Sequence, residues 1–198
     1  LVIQPKTANT TIGIGSSATG TLKLDDTELG YLQDGFASIT LGSTTGTGAI
    51  AVAYTTPYTF TDPLTIRSNT SGGGAISATS ALNTVTNSLT ITSGGAVSVA
   101  AITSGALAIT GTGITLHGDV TTSGAQTYTG AVSLAANITL DSTANSNNGA
   151  VSFSSTVNSA NSTARNLTVT AGSGNVTFTG AVGNTYALGV LAVSSKVI

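Results

Sequence analysis

The side chains with the clearest capacity for chemistry are a few carboxylates close together in the chain. Four of the seven acidic residues, Asp25, Asp26, Glu28 and Asp34, fall within one short segment. Oxygen ligands of this kind could bind a hard cation such as calcium, but their spacing matches no known calcium loop. The alternative is that Asp25 caps a short helix whose first turn contains the next acids. We expect capping and solvation, and we keep the four residues as a weaker candidate calcium cluster.

The sequence contains no recognisable catalytic group. His117 follows Ile114 and Leu116 in strand alternation, which predicts an outward side chain. It is the one histidine of the chain, so an arrangement of several imidazoles is excluded. Serine is abundant, yet no Gly-x-Ser-x-Gly elbow lies between a strand and a helix. A glycosidase pair drawn from the acidic segment would need a cleft and a second carboxyl with a different pKa. We therefore expect no enzyme, no catalytic residue and no cofactor.

Threonine pairs offer a different kind of surface. Thr-x-Thr recurs, for example at residues 59–61, 84–86, 90–92, 127–129, 168–170 and 177–179. On a strand each pair places two hydroxyls on the outer face, and a flat, regular array of them could bind ice or carbohydrate. Threonine is also simply polar and β-prone, and the irregular spacing of the pairs predicts no flat lattice. A binding face of Thr and Tyr is therefore the alternative function.

The composition excludes several classes of protein. Charged residues make up 6% of the chain, against about a quarter in typical domains, and a net charge of -2 with five scattered Lys and Arg excludes a nucleic-acid footprint. A mean hydropathy of +0.35 argues against disorder. No apolar stretch approaches the roughly 18 residues of a membrane helix. Cysteine is absent, so it gives no information on the compartment.

An internal repeat dominates the sequence. The phrase Gly-Ala-Ile/Val or a close variant recurs along the chain, and in seven copies its apolar residue follows the previous one after 17 to 26 positions, 21 on average. These residues, which we call openers, are Ile50, Ile76, Val97, Ile114, Val132, Val151 and Val176. The period is typical of stacked repeat folds. It predicts that the openers from Ile76 to Val176 point inward as one ladder, with Leu134, Phe153 and Phe178 in one column.

A second apolar strand precedes most openers, at residues 39–41, 64–66, 89–91, 107–109 and 167–169, and Gly-rich corners separate the strands. One such unit cannot bury its apolar face, whereas stacked units with parallel strands share a continuous core. We therefore predict an all-β fold, a right-handed parallel β-helix or β-solenoid, the hand being the one that parallel crossovers favour.

One segment interrupts this pattern. An Asp suited to an N-cap, early acids and apolar Leu29 and Leu32 predict a short helical insertion near residues 26–33. We predict a single domain over residues 1–198. Within it, residues 1–35 form irregular first coils with the helix, and residues 36–198 form regular coils of about 17–26 residues.

Two stretches resemble a known family. Residues 28–42, Glu-Leu-Gly-Tyr-Leu-Gln-Asp-Gly-Phe-Ala-Ser-Ile-Thr-Leu-Gly, and the repeats of residues 167–193 are similar to segments of very large bacterial surface proteins of the filamentous-haemagglutinin-like kind. The resemblance implies the shaft of an exported adhesin or extracellular fibre that acts in adhesion or biofilm formation at the cell surface. Its implied partners are glycans or proteins on host or neighbouring cells. It transfers no catalytic residue.

The two ends of the chain are apolar and strand-like. The sequence begins Leu1-Val2-Ile3, with no secretion signal, and finishes with the apolar run of residues 190–198. Neither end has the polar character of a solenoid cap. We therefore expect a processed protein or an internal fragment whose ends contact further solenoid, either adjoining repeats or another copy, head to tail.

Overall fold

The fold, taken from a computed structural model that describes residues 1–196, is nearly all-β with parallel strands. The strands are β1 (Val2–Ile3), β2 (Ile12–Ile14), β3 (Leu22–Leu24), β4 (Ile39–Gly42), β5 (Ile50–Val52), β6 (Leu64–Arg67), β7 (Ile76–Ala78), β8 (Leu82–Asn83), β9 (Leu89–Thr92), β10 (Val97–Val99), β11 (Ile102–Ser104), β12 (Leu107–Leu116), β13 (Val120–Thr122), β14 (Gln126–Leu134), β15 (Ile138–Asp141), β16 (Val151–Phe153), β17 (Val157–Ser159), β18 (Arg165–Thr170), β19 (Val176–Phe178) and β20 (Leu188–Ser194). A helix, α1 (Asp26–Leu29), and a 3-10 turn (Ala144–Ser146) complete the elements. The helix lies within the predicted segment but is shorter than predicted.

The strands stack in three columns, which the chain visits in turn. The first column contains β1, β4, β6, β9, residues 107–110 of β12, residues 126–128 of β14, β16 and β19. The second contains β3, β2, β5, β7, β10, residues 113–116, residues 131–134 and β17. The third contains β8, β11, β13, β15, β18 and β20. Neighbouring strands in each column are parallel, so the backbone groups of one turn are satisfied by the next.

One continuous core runs between the columns. Alternate residues of most strands are buried, and a single hydrophobic cluster extends from Ile12 to Val176. This follows from period-two alternation, which places every second side chain on one face. Glycine is required where the chain turns most sharply: Gly42 has a φ of +99°, and a Cβ there would overlap the Arg67 carbonyl of the next turn.

The predicted ladder from Ile76 to Val176 is confirmed in its first four members, and all six are buried, but the last two stack elsewhere. Ile76, Val97, Ile114 and Val132 pair in register in the second column, which Ile50 also joins. The next partner of Val132 is Val157, whereas Val151 pairs with Gln126 in the first column and Val176 follows Val151. All strands share the same apolar alternation, so the Gly-Ala-Val phrase does not identify the column. The same ambiguity affects the predicted second strands. The one at residues 167–169 belongs to the third column, whereas the other four belong to the first.

The predicted aromatic column is corrected in one member. Leu134 pairs with Ser159 in the second column, whereas Phe153 pairs with Tyr128 and Phe178 in the first. The three rings stack, with centroids 5.1 Å apart for Tyr128 and Phe153 and 4.9 Å apart for Phe153 and Phe178. Their planes are nearly parallel, at 11° and 6°. In-register strands therefore bring aromatic residues that are distant in sequence into one stack.

The N-terminal end of the core is covered, contrary to the prediction that neither end is capped. β3 turns back and pairs with the outer side of β2, so it closes the edge of the second column. Leu29 of α1 is fully buried in the hydrophobic cluster. Backbone bonds from Thr55 and Thr56 to the Asp26 carboxylate place α1 against the next turn of the chain. The cap could not be read from composition because it depends on β3 turning back over the edge of β2.

The other end of the described chain remains apolar at the surface. β20 is an edge strand that pairs with β18 on one side, and its Val190 and Leu191 are 56% and 43% exposed. The predicted apolar run continues to residues 197–198, which lie outside the described residues. The Lys196 N–H donates to the Gly174 carbonyl at 3.2 Å, so the chain after β20 returns to the first column.

Candidate functional site

Two of the four predicted acidic residues form a helix cap. The Asp25 Oδ1 accepts hydrogen bonds from the backbone N–H groups of Thr27 and Glu28 at 2.9 and 2.8 Å. The Glu28 carboxylate accepts one from the Asp25 N–H at 3.0 Å. This reciprocal arrangement is a capping box, which satisfies N–H groups that the first turn of a helix leaves free. The sequence interpretation of Asp25 as N-cap is therefore confirmed.

Asp26 joins three segments of backbone. Its carboxylate accepts bonds from the N–H groups of Ser16, Thr55 and Thr56, at 2.7, 2.9 and 3.1 Å. The Ser16 N–H, and then those of Thr56 and Thr55, hold the pKa of Asp26 below its usual value against the opposing effect of desolvation. Asp26 thus fixes α1 to the loop before β3 and to the chain after β5. Sequence analysis grouped it with the cap and missed this role.

Asp34 stands apart from the other three acids. It is exposed and makes no hydrogen bond within residues 1–196, whereas the next residue, Gly35, donates its N–H to the buried Asp62 at 3.1 Å. In the same range, no group of three or more His, Asp or Glu side chains is close enough to hold a metal ion. The structure therefore disperses the four residues of the candidate calcium cluster over a cap, a backbone clamp and a free surface position.

The outer face of the first column carries two rows of hydroxyls. The first row, in register, is Thr40, Thr65, Thr90, Ala108, Thr127, Ser152 and Thr177. The second contains Thr92, Thr110 and Thr129, preceded by Arg67. Pairing in register aligns hydroxyls from motifs that are irregularly spaced along the chain, with an interruption at Ala108. The hydroxyls of both rows make no hydrogen bond to protein within the described chain.

Not all Thr-x-Thr motifs join these rows. The pairs at residues 59–61 and 168–170 belong to the third column, and residues 84–86 lie in a turn after β8. His117 is exposed, as its place in the alternation predicts, and it lines a groove of about 200 Å³ with Ala78, Thr79, Ser98 and Ala100. No acid or second imidazole lies in that groove, so its lining offers packing and hydroxyl contacts.

A tyrosine-lined groove lies close to the helix cap. Tyr54, Thr55, Pro57, Ser80 and Ala81 line a space of about 200 Å³. Burial, and then the nearby Tyr58 and Asp26, raise the pKa of Tyr54 well above its usual value, so the phenol stays protonated. Sequence analysis missed this groove, although two tyrosines on either side of Pro57 were a visible signal.

A larger groove lies under the loop that precedes β3. It has a volume of about 440 Å³, and small or hydroxyl side chains line it: Thr11, Thr19, Thr21, Ala49, Ala51, Ala75 and Ser77. Its lining includes no charged or aromatic side chain. The groove can therefore offer hydroxyl contacts to a ligand, but no acid, base or stacking partner.

The first column also holds one buried polar pair. Gln126 and Tyr128 are fully buried, and the Tyr128 hydroxyl donates to the Gln126 Oε1 at 2.9 Å. The Gln126 amide donates to the Thr122 hydroxyl at 3.1 Å and to the Asp141 carbonyl at 3.0 Å. Burial raises the pKa of Tyr128 far above its usual value. Every group of the pair has a partner, so it links the first and third columns without a free group for catalysis.

No protein-family model, curated protein or solved structure matches this chain. Within residues 1–196, no helix is both long and apolar enough to cross a membrane. The surfaces that remain as functional candidates are therefore the hydroxyl rows, the grooves and the ends of the columns. All of these surfaces are suited to contact or binding.

Proposed function

We propose that this chain is a right-handed parallel β-solenoid that forms part of the shaft of a bacterial surface adhesin or extracellular fibre. The observation that carries the proposal is the continuous core between three in-register columns. Such a body lengthens simply by adding turns, because each turn contacts only its neighbours. We propose no enzymatic activity, since a shaft needs rigidity and surface and no reactive group.

The dimensions suit this role. Eight first-column strands, at about 4.8 Å per parallel neighbour, give a stack of about 34 Å. Low charge is compatible with a rod whose solubility comes from hydroxyls and amides, as the rows on the first column illustrate. The resemblance of residues 28–42 and 167–193 to filamentous-haemagglutinin-like proteins adds the location, outside the bacterial cell, and the partners: adjoining repeats end to end, and glycans or proteins of other cells.

Small-angle X-ray scattering on the purified chain and a surface-display adhesion assay together test the proposal. We expect a scattering profile that fits the stacked columns, and stronger attachment of cells that display the chain than of cells that display an unrelated domain. A profile that the stacked columns do not fit would refute the shaft. An unchanged attachment with a fitting profile would leave a structural role and remove the adhesive one.

The hydroxyl rows favour a second candidate function, the binding of ice or carbohydrate. The free hydroxyls of Thr90, Thr127 and Thr177 recur in register along the column, which is a surface that a regular ligand can match. We expect Thr127→Lys to abolish any ice shaping or glycan binding, and Thr103→Lys on the third column to leave it intact. Absence of both activities in the parent chain would remove this candidate.

A further inference from the structure

Arg67 is a half-buried cation on the outer face of the first column. It is the last residue of β6, and its Nε is enclosed yet has no hydrogen-bond partner within residues 1–196. Lys23, by contrast, donates its ammonium group to the Ser16 carbonyl at 2.8 Å. An enclosed donor without an acceptor costs free energy, and its presence calls for an explanation. An acceptor on a bound molecule would provide one.

The charges around Arg67 define the kind of acceptor. The strands that the structure describes in the first column carry no other charged residue, so no carboxylate on a neighbouring strand of this column pairs with Arg67. The planar fork of a guanidinium matches the two oxygens of one carboxylate. A single cation on a protein with a net charge of -2 attracts a polyanion only weakly. The acceptor that fits is therefore one isolated carboxylate.

The hydroxyls around Arg67 define what carries that carboxylate. Thr92 is its partner in register on the next turn, and Thr65 precedes it by two residues on the same face of β6. Thr40 and Thr90 flank Thr65 in the first hydroxyl row. Neighbours in these rows are about 4.8 Å apart between strands and about 6.6 Å apart along a strand. One or two sugar rings span such distances, and their hydroxyls can both donate to and accept from threonine.

We infer that Arg67, Thr65 and Thr92 bind the carboxylate-bearing sugar of an oligosaccharide whose other sugars are neutral. The Arg67 guanidinium donates to the two carboxylate oxygens, and the threonine hydroxyls contact the hydroxyls of the same sugar. The neutral sugars continue along the row towards Thr90 and Thr127. The inference rests on the proposed contact with glycans of other cells, and it adds the chemical class of the glycan and its place on the first column.

Titration of the full chain with defined sugars, followed by nuclear magnetic resonance, tests this inference. The probes are 3′-sialyllactose, which has one carboxylate, and lactose, its neutral part. We expect 3′-sialyllactose to bind at least about tenfold more tightly than lactose, because hydrogen bonds to a charged group are the stronger ones. Equal binding of the two sugars, or binding of neither, would overturn the inference. Tighter binding of a heparin oligosaccharide would also overturn it, since a polyanion would then be the better ligand.

Variants of Arg67 then locate the site. Arg67→Gln should reduce the affinity for 3′-sialyllactose to that for lactose, and Arg67→Lys should give an intermediate value, because it keeps the charge and loses the fork. Arg165→Gln is the matched control: it removes the same charge from a strand of the third column and should leave the affinity unchanged. An equal loss in both glutamine variants would place the binding elsewhere.

The comparison of the two sugars on the parent chain needs no variant, so it decides the matter even if Arg67→Gln fails to fold. Failure of this inference can also be told apart from failure of the proposed function. Cells that display the chain and attach without any binding of 3′-sialyllactose would refute the acidic-sugar site and leave the adhesive shaft standing. A scattering profile that the stacked columns do not fit would refute the shaft, whatever sugar is bound.

Discussion

The acidic segment around α1 and the aromatic stack in the first column stabilise the fold by different interactions. The first uses hydrogen bonds from backbone N–H groups to carboxylates, and the second uses apolar packing. Around α1 the chain leaves the regular columns, and Asp25 and Asp26 together accept five backbone N–H bonds. In the stack, Tyr128 and Phe153 lie between complete parallel strands and need no charge. The comparison indicates why the chain has so few charged residues: strand pairing satisfies the backbone except where the chain departs from the columns.

Truncation of Phe153, the central ring of the stack, should cause the largest loss of stability. Phe153 is buried and stacked on both faces, so we expect Phe153→Ala to lower the free energy of unfolding by about 3–5 kcal/mol. Phe36→Ala is the control: that ring is exposed, and its loss should cost less than about 0.5 kcal/mol. Chemical denaturation measures both. Equal effects of the two substitutions would show that the stack does not stabilise the columns.

Truncation of Leu29, the buried residue of the acidic region, should cause a smaller and more local loss of stability. Leu29 is the buried residue of α1, and we expect Leu29→Ala to cost about 2–3 kcal/mol, near the lower limit for a buried leucine because a short terminal element can settle into the space. Amide exchange should accelerate around residues 22–36 while the strands from β9 to β15 keep their protection. Faster exchange throughout the chain would mean that the cap and the columns unfold together.

Acidification should weaken the acidic region through Asp26. The pKa of Asp26 in the folded chain is lowered from the usual 3.8. Its bonds therefore stabilise the fold above that usual value, and this contribution is lost as the pH falls through the lowered pKa. We expect the parent chain to lose stability on acidification in a way that Asp26→Asn does not. Denaturation curves at neutral and acidic pH provide the measurement, and an identical pH dependence of both proteins would contradict the clamp.

The smallest effect should be a gain in stability outside both regions. Val85 has a φ of +55° and is 48% exposed, in the turn after β8. A left-handed backbone is unfavourable for a β-branched residue, whereas Asn tolerates it. We expect Val85→Asn to raise the free energy of unfolding by about 1 kcal/mol. Val52→Asn, at a buried strand position, should instead destabilise the protein, which makes it a useful opposite control in the same denaturation experiment.

In the regular columns, the sequence predicted which face of each strand is buried, but it did not predict which strands pair with one another. Alternation correctly places Ile76, Val97 and Ile114 inside and His117 outside, because a strand has only two faces. It does not assign Val151 to a column. That assignment depends on the long connection between Asp141 and Val151, whose ten-residue spacing follows no repeat. The acidic region shows the reverse, since local rules identify Asp25 as a cap and say nothing of the distant partners of Asp26.

By itself, the sequence determined what depends on neighbours in the chain: parallel β structure with an apolar inner face, sharp glycine corners, and a short helix that starts after Asp25. Tertiary structure alone decided which strands are neighbours in space. It turned β3 back over the edge of β2, aligned the hydroxyls of Thr90 and Thr127, and stacked Phe153 on Tyr128. The physical reason is that every strand carries much the same alternation. The pattern of each strand therefore fits any column. Only the lengths and packing of the connections decide which strands pair in register.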